Sequence, residues 1–72
     1  MKNFGERLKS LRIQKKLKQT DMANVLNCTE RHYQNYEYNK SHPDYKGLLF
    51  IADYFDISID YLVGRSDDPK RH

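Results

Sequence analysis

Glu30, Arg31, Gln34, Asn35 and Tyr38 fall within nine residues and carry forked or hydroxyl-bearing side chains. These types can read hydrogen-bond patterns on base edges. Arg pairs with guanine, Gln and Asn pair with adenine, and Glu accepts from cytosine. At about 100° per residue the five span one arc of about 140°, with Thr29, Tyr33, Tyr36 and Glu37 on the opposite side. Arg31, Gln34 and Asn35 are the expected base readers. Glu30 joins them only through a specific contact, because a carboxylate beside phosphates is repelled. An ordinary solvated helix face carries similar residues, so the pattern gains meaning only from the elements that hold it.

Other chemistry is thinly represented. His32, His42, His72 and Cys28 show no metal-ligand spacing, so no metal is expected. Cys28 is the single cysteine and cannot form an internal disulfide; it reads as a small buried thiol rather than a redox switch. There is no nucleophile elbow for a Ser/His/Asp enzyme. No cofactor or small-molecule motif is evident. A chain of 72 residues supports one small domain, burying about 60% of the surface exposed when unfolded. That is too short for a barrel or a doubly wound sheet around a catalytic cleft, which argues against an enzyme. The longest apolar run, Leu48 to Ala52, is five residues, too short for a membrane span or a signal-peptide core. A cytoplasmic location without a membrane partner is expected.

The formal net charge of +3 is modest, but its distribution is uneven. Residues 1–40 hold nine basic side chains against four acidic ones, whereas residues 41–72 hold four against six. The N-terminal part is thus the one suited to face a polyanion.

Stop signals and apolar spacing divide the chain into five helices. Phe4, Leu8 and Leu11 line one face of a helix near 4–15, with Asn3 and Glu6 forming a capping box. Met22, Ala23 and Leu26 mark a second near 19–26. Thr29 caps a third near 30–38, which Asn39 ends in the left-handed conformation. Asp44 caps a fourth near 45–55, carrying Leu48, Ile51, Ala52 and Phe55. Ser58 caps a short fifth, 59–63, stopped by Gly64. Residues 65–72 have nothing to bury and are expected to form a flexible polar tail. No segment alternates like a strand, so the expected fold is all-α. Helices two and three are joined only by Asn27-Cys28-Thr29. So short a link forces a steep crossing, with Asn27 tolerating positive φ and Ala23 allowing close approach.

These features resemble the Cro/CI-type (Xre-like) helix-turn-helix DNA-binding regulators. The matching segments are Gly5-Glu6-Arg7-Leu8-Lys9-Ser10-Leu11-Arg12, Leu17-Lys18-Gln19-Thr20-Asp21-Met22-Ala23, Tyr36-Glu37-Tyr38-Asn39-Lys40, Pro43, and Ile51 through Gly64. The resemblance runs from about Asn3 to Gly64. It implies a compact five-helix lambda-repressor-like domain over 1–64. It also implies sequence-specific binding to double-stranded DNA, as a homodimer on a palindromic operator, usually to repress transcription. The third helix would enter the major groove. By resemblance, Gln19 contacts a phosphate at the start of helix two, where backbone N–H groups favour an anion. Lys40 matches a second such position, and Lys18, Lys16 and Tyr38 are neighbouring candidates. Arg12 and Glu37 match a partly buried pair that orients the third helix.

Departures from the family pattern are local. Lys18 stands where Ser, Thr or Asn usually caps, so helix two should start poorly. Asn27 and Asn39 replace glycines, Tyr33 replaces a smaller aliphatic residue, and His32 replaces a small one. Six tyrosines and three phenylalanines exceed what one small core needs. Phe50, Tyr54 and Tyr61 are therefore expected at the surface as a dimer interface, presenting two recognition helices about 34 Å apart. The alternative is a protein-interaction module with a protein partner, such as the DNA-binding antitoxin of a toxin–antitoxin pair.

Overall fold

A computed structural model describes residues 2–71; Met1 and His72 lie outside the described residues. The described residues fold into five helices: α1 (Phe4–Gln14), α2 (Gln19–Val25), α3 (Glu30–Glu37), α4 (Tyr45–Phe55) and α5 (Ile59–Leu62). Four starts follow the cap residues. Asn3 Oδ1 accepts from Glu6 N, Thr29 Oγ1 from His32 N, Asp44 Oδ1 from Gly47 N, and Ser58 Oγ from Tyr61 N. Each such cap contributes on the order of 1 kcal/mol. Lys18 has no acceptor to offer α2. The carboxylate of Asp21 instead accepts from Lys18 N at 2.8 Å, filling one half of a cap.

All five helices end the same way. One residue turns left-handed, and the residue after it bonds back across the last turn. The left-handed residues are Lys16, Asn27, Asn39, Asp56 and Gly64. The returning bonds are Leu17 N to Arg12 O, Cys28 N to Ala23 O, Lys40 N to Asn35 O, Ile57 N to Ala52 O, and Arg65 N to Asp60 O. This device makes the α2–α3 link short and fixed. Cys28 is only half-buried there, and burial pushes its thiol pKa up, which keeps it protonated and unreactive.

The core is built from Phe4, Leu8, Leu11, Met22, Ala23, Tyr33, Ile51, Ala52, Phe55, Ile57 and Leu62. Thus α3 packs on α1 and α2, and α5 packs on α4 and α1. One polar lock ties α1 to the end of α3. The Asn39 side chain accepts from Gly5 N at 3.0 Å and donates to Asn3 Oδ1 at 2.9 Å. A Cβ at Gly5 would collide with the Glu37 carbonyl oxygen, so this approach requires glycine.

Residues 65–71 carry no helix but make specific contacts. Asp67 accepts from Arg7 at 3.1 Å, Ser58 N donates to Pro69 O, and Arg71 bonds Asp53 at 2.6 Å. Arg7 is buried, with its guanidinium carbon 3.8 Å from the centre of the Tyr61 ring. No described helix is long and apolar enough to cross a membrane.

Candidate nucleic-acid interface

The inner face of α3 is anchored through one chain of polar contacts. Arg12 Nε donates to Glu37 Oε2 at 2.6 Å, and Arg12 Nη1 donates to Leu17 O at 2.9 Å. The Glu37 hydrogen bond, more than its charge, raises the Arg12 pKa, so this guanidinium stays charged. Gln19 Nε2 donates to the other Glu37 oxygen at 3.2 Å. Gln34 Nε2 donates to Gln19 Oε1 at 3.1 Å and to Glu30 Oε2 at 3.2 Å. A single relay therefore runs from α1 through α3 and the start of α2 to the outer edge of α3.

Tyr33 is fully buried behind this relay. Its hydroxyl meets no partner in hydrogen-bonding geometry among the described residues. Burial, and then the adjacent Glu37, raise the pKa of this phenol far above the ordinary tyrosine value. Tyr36 is half-buried, shifted upward first by burial and then by Cys28 and Asp44. His32 Nε2 lies 2.8 Å from the Tyr36 hydroxyl, with the rings edge to face. His42 stacks near Phe4 at 5.7 Å. The two histidines thus serve separate local contacts.

The outer face of α3 is open. Glu30, Arg31 and Tyr38 are exposed, and Gln34 and Asn35 are half-exposed. Lys16, Lys18 and Lys40 are also exposed, and Gln19 is half-buried beside α3. The third helix thus presents the Arg31 guanidinium, without an ion-pair partner among the described residues, beside two half-exposed amides. The structure adds one constraint that helical spacing does not reveal. The Gln34 amide nitrogen is already engaged by Gln19 and Glu30, so its free acceptor is the Oε1 atom.

Residues 5–67 match a family model described as a helix-turn-helix domain. The chain belongs to the helix-turn-helix family. The relatives it resembles are named as helix-turn-helix-type transcriptional regulators. The chain is 46% identical over 67 residues to the uncharacterized helix-turn-helix-type transcriptional regulator YqaE of Bacillus subtilis (strain 168), covering 93% of this chain and 58% of that protein. It is 40% identical to the SPbeta prophage-derived regulator YonR of the same organism, covering 83% and 56%. It is 31% identical to the regulator ImmR, covering 97% and 55%. A crystal structure of a transcriptional regulator from Listeria innocua superposes with a TM-score of 0.82 at 37% identity, covering 86% of this chain and 58% of that one. The chain spans just over half the length of the curated relatives it matches.

Within this helix-turn-helix frame, three contributors escaped the sequence reading. Asn39 ends α3 but also locks it to α1 through Gly5. Asp21 substitutes for the missing cap of α2. Arg7, one of the nine N-terminal basic residues, faces inward onto Tyr61 and adds nothing to the outer surface. Tyr61 is accordingly half-buried, whereas Phe50 and Tyr54 are exposed. A buried cation cannot be told from a surface one by spacing alone; its match to the segment Gly5–Arg12 was the available signal.

Proposed function

We propose that this helix-turn-helix chain is a sequence-specific double-stranded DNA-binding regulator that represses by occupying a two-fold symmetric operator as a homodimer. The observation that carries this reading is the pairing of an open polar face on α3 with a rigid anchor behind it. Arg31, Gln34 and Asn35 read base edges in the major groove, and Glu30 contributes a directed contact. Gln19, Lys16, Lys18, Lys40 and Tyr38 contact phosphates, which set register and supply most of the affinity. Arg12 and Glu37 touch no base and orient the helix. The names of the relatives support the regulatory role. The exposed apolar face of α4 favours a protein contact as well, and self-association accounts for it.

Fluorescence anisotropy with a labelled random-sequence duplex tests the electrostatic half of this reading. Affinity should fall linearly on a logarithmic salt scale, with a slope set by the phosphates neutralised. Absence of binding at about 50 mM salt would overturn it.

A further inference from the structure

The helix α4 divides cleanly. Leu48, Ile51, Ala52 and Phe55 face the core or pack against it, while Tyr45, Lys46, Leu49, Phe50, Asp53 and Tyr54 are exposed. Phe50 is 48% exposed and Leu49 36%, midway along the helix on the two flanks of that outer face. The six form one continuous face of about 180° at about 100° per residue. Arg71 reaches onto it at Asp53 and Lys15 at Tyr54, and no described helix lies across it.

The order of residues along this helix is chemically palindromic. About the peptide joining Leu49 to Phe50, Lys46 mirrors Asp53, Gly47 mirrors Ala52, Leu48 mirrors Ile51, and Tyr45 mirrors Tyr54. Lys46 and Asp53 lie within about 20° of each other at the centre of the exposed arc, each about 5 Å along the helix from that peptide. A copy running antiparallel across a two-fold axis at this level sets each Lys46 against the partner's Asp53. It also sets Leu49 against its own copy on one flank and Phe50 against its own copy on the other.

A second observation concerns charge. The other four helices begin with an acidic residue in the first turn, Glu6, Asp21, Glu30 or Asp60, as their dipoles favour. α4 has no acid in its first turn and no base in its last. It carries Lys46 at the start and Asp53 at the end, both opposed to its own dipole and offset within the chain only by the Asp44 cap and by Arg71. An antiparallel copy compensates both charges at once. Asp53 bonds Arg71 through Oδ1, which leaves Oδ2 for this contact.

We infer that α4 is the self-association seam of this protein, an isologous antiparallel pairing of two copies through Leu49 and Phe50 with reciprocal Lys46–Asp53 ion pairs. The inference rests on the homodimer reading above and specifies its interface. Tyr54 lies at the rim, beside Lys15, whose Nζ is 5.4 Å from the ring centre. Tyr61, under Arg7, lies outside the seam.

Charge exchange tests it. Sedimentation of the full chain is followed up to about 1 mM, because a seam about 16 Å long is short and forms a weak dimer. Lys46→Glu and Asp53→Lys should each weaken self-association at least tenfold, as should Phe50→Glu. An equimolar mixture of the two charge variants should restore association as a heterodimer, because both cross-pairs are again opposite in sign. Arg71→Ala should leave the dimer intact, and thermal melts confirm that each variant is folded. A wild-type dimer indifferent to both charge reversals, or a mixture that stays monomeric, overturns the seam while leaving the homodimer reading standing. A wild-type monomer at every concentration overturns both.

Discussion

The guanidinium of Arg12 donates to Glu37 at 2.6 Å, and the Glu37 side chain is only 1% exposed. The pair joins α1 to α3, and on the proposed reading it sets the roll of α3 about its axis and so which side chains point outward. Arg12→Ala leaves a buried carboxylate without its cation and should cost about 3–5 kcal/mol. That is a large share of a small domain's stability. Arg12→Met combined with Glu37→Met should recover much of the loss. Urea unfolding measures both, and a single-variant loss below about 1 kcal/mol would mean that solvent reaches the carboxylate.

Tyr33 holds its hydroxyl buried and without a hydrogen-bond partner among the described residues. Its folded pKa is raised, so the unfolded chain releases this proton above about pH 10 while the folded chain keeps it. The stability conferred is complete below about pH 10 and declines as pH rises beyond it. Tyr33→Phe should therefore be neutral or stabilising at pH 7 and should shallow the alkaline decline. A loss above about 1 kcal/mol at pH 7 would show that the hydroxyl is hydrogen-bonded.

Lys16 ends α1 at φ 60°. A left-handed lysine is strained by about 1–2 kcal/mol, partly offset in any glycine replacement by the flexibility of the unfolded chain. Lys16→Gly should raise stability by about 0.5–1 kcal/mol in thermal melts and at the same time weaken DNA binding at low salt. Unchanged binding would remove Lys16 from the phosphate contacts.

Arg31→Ala should cost about 1–3 kcal/mol on the cognate duplex and relax selectivity at one base pair in each half-site. Lys40→Ala should instead weaken binding to every duplex and reduce the salt slope by about one. Equal losses on all sequences for Arg31→Ala would assign it to a phosphate. The two are distinguished by titrating cognate and scrambled duplexes across salt concentrations.

The helix starts and the left-handed Asn27 and Asn39 were legible because those residue types carry their own local physics. An acceptor one residue before an amphipathic run caps it, and Asn tolerates positive φ. Asp56 was legible as the break after the fourth helix for the same reason, whereas Lys16 adopts the same left-handed turn with no comparable signal in its side chain. The Arg12–Glu37 pair and the inward turn of Tyr33 followed from the family pattern and helical spacing. The burial of Arg7 did not, because its partners Tyr61 and Asp67 lie more than fifty residues away in the chain. The relay through Gln19 and Gln34 was hidden for a similar reason. Each residue was read as a separate contact to DNA, and only the folded geometry joins them.

On the proposed function, α3 reads a defined DNA sequence. Selection of bound duplexes from a random pool, read by sequencing, tests it most directly. The expected result is an enriched palindromic motif with half-sites about one helical turn apart, and loss of preference at one position per half-site for Arg31→Ala. A pool that emerges without enrichment would contradict it.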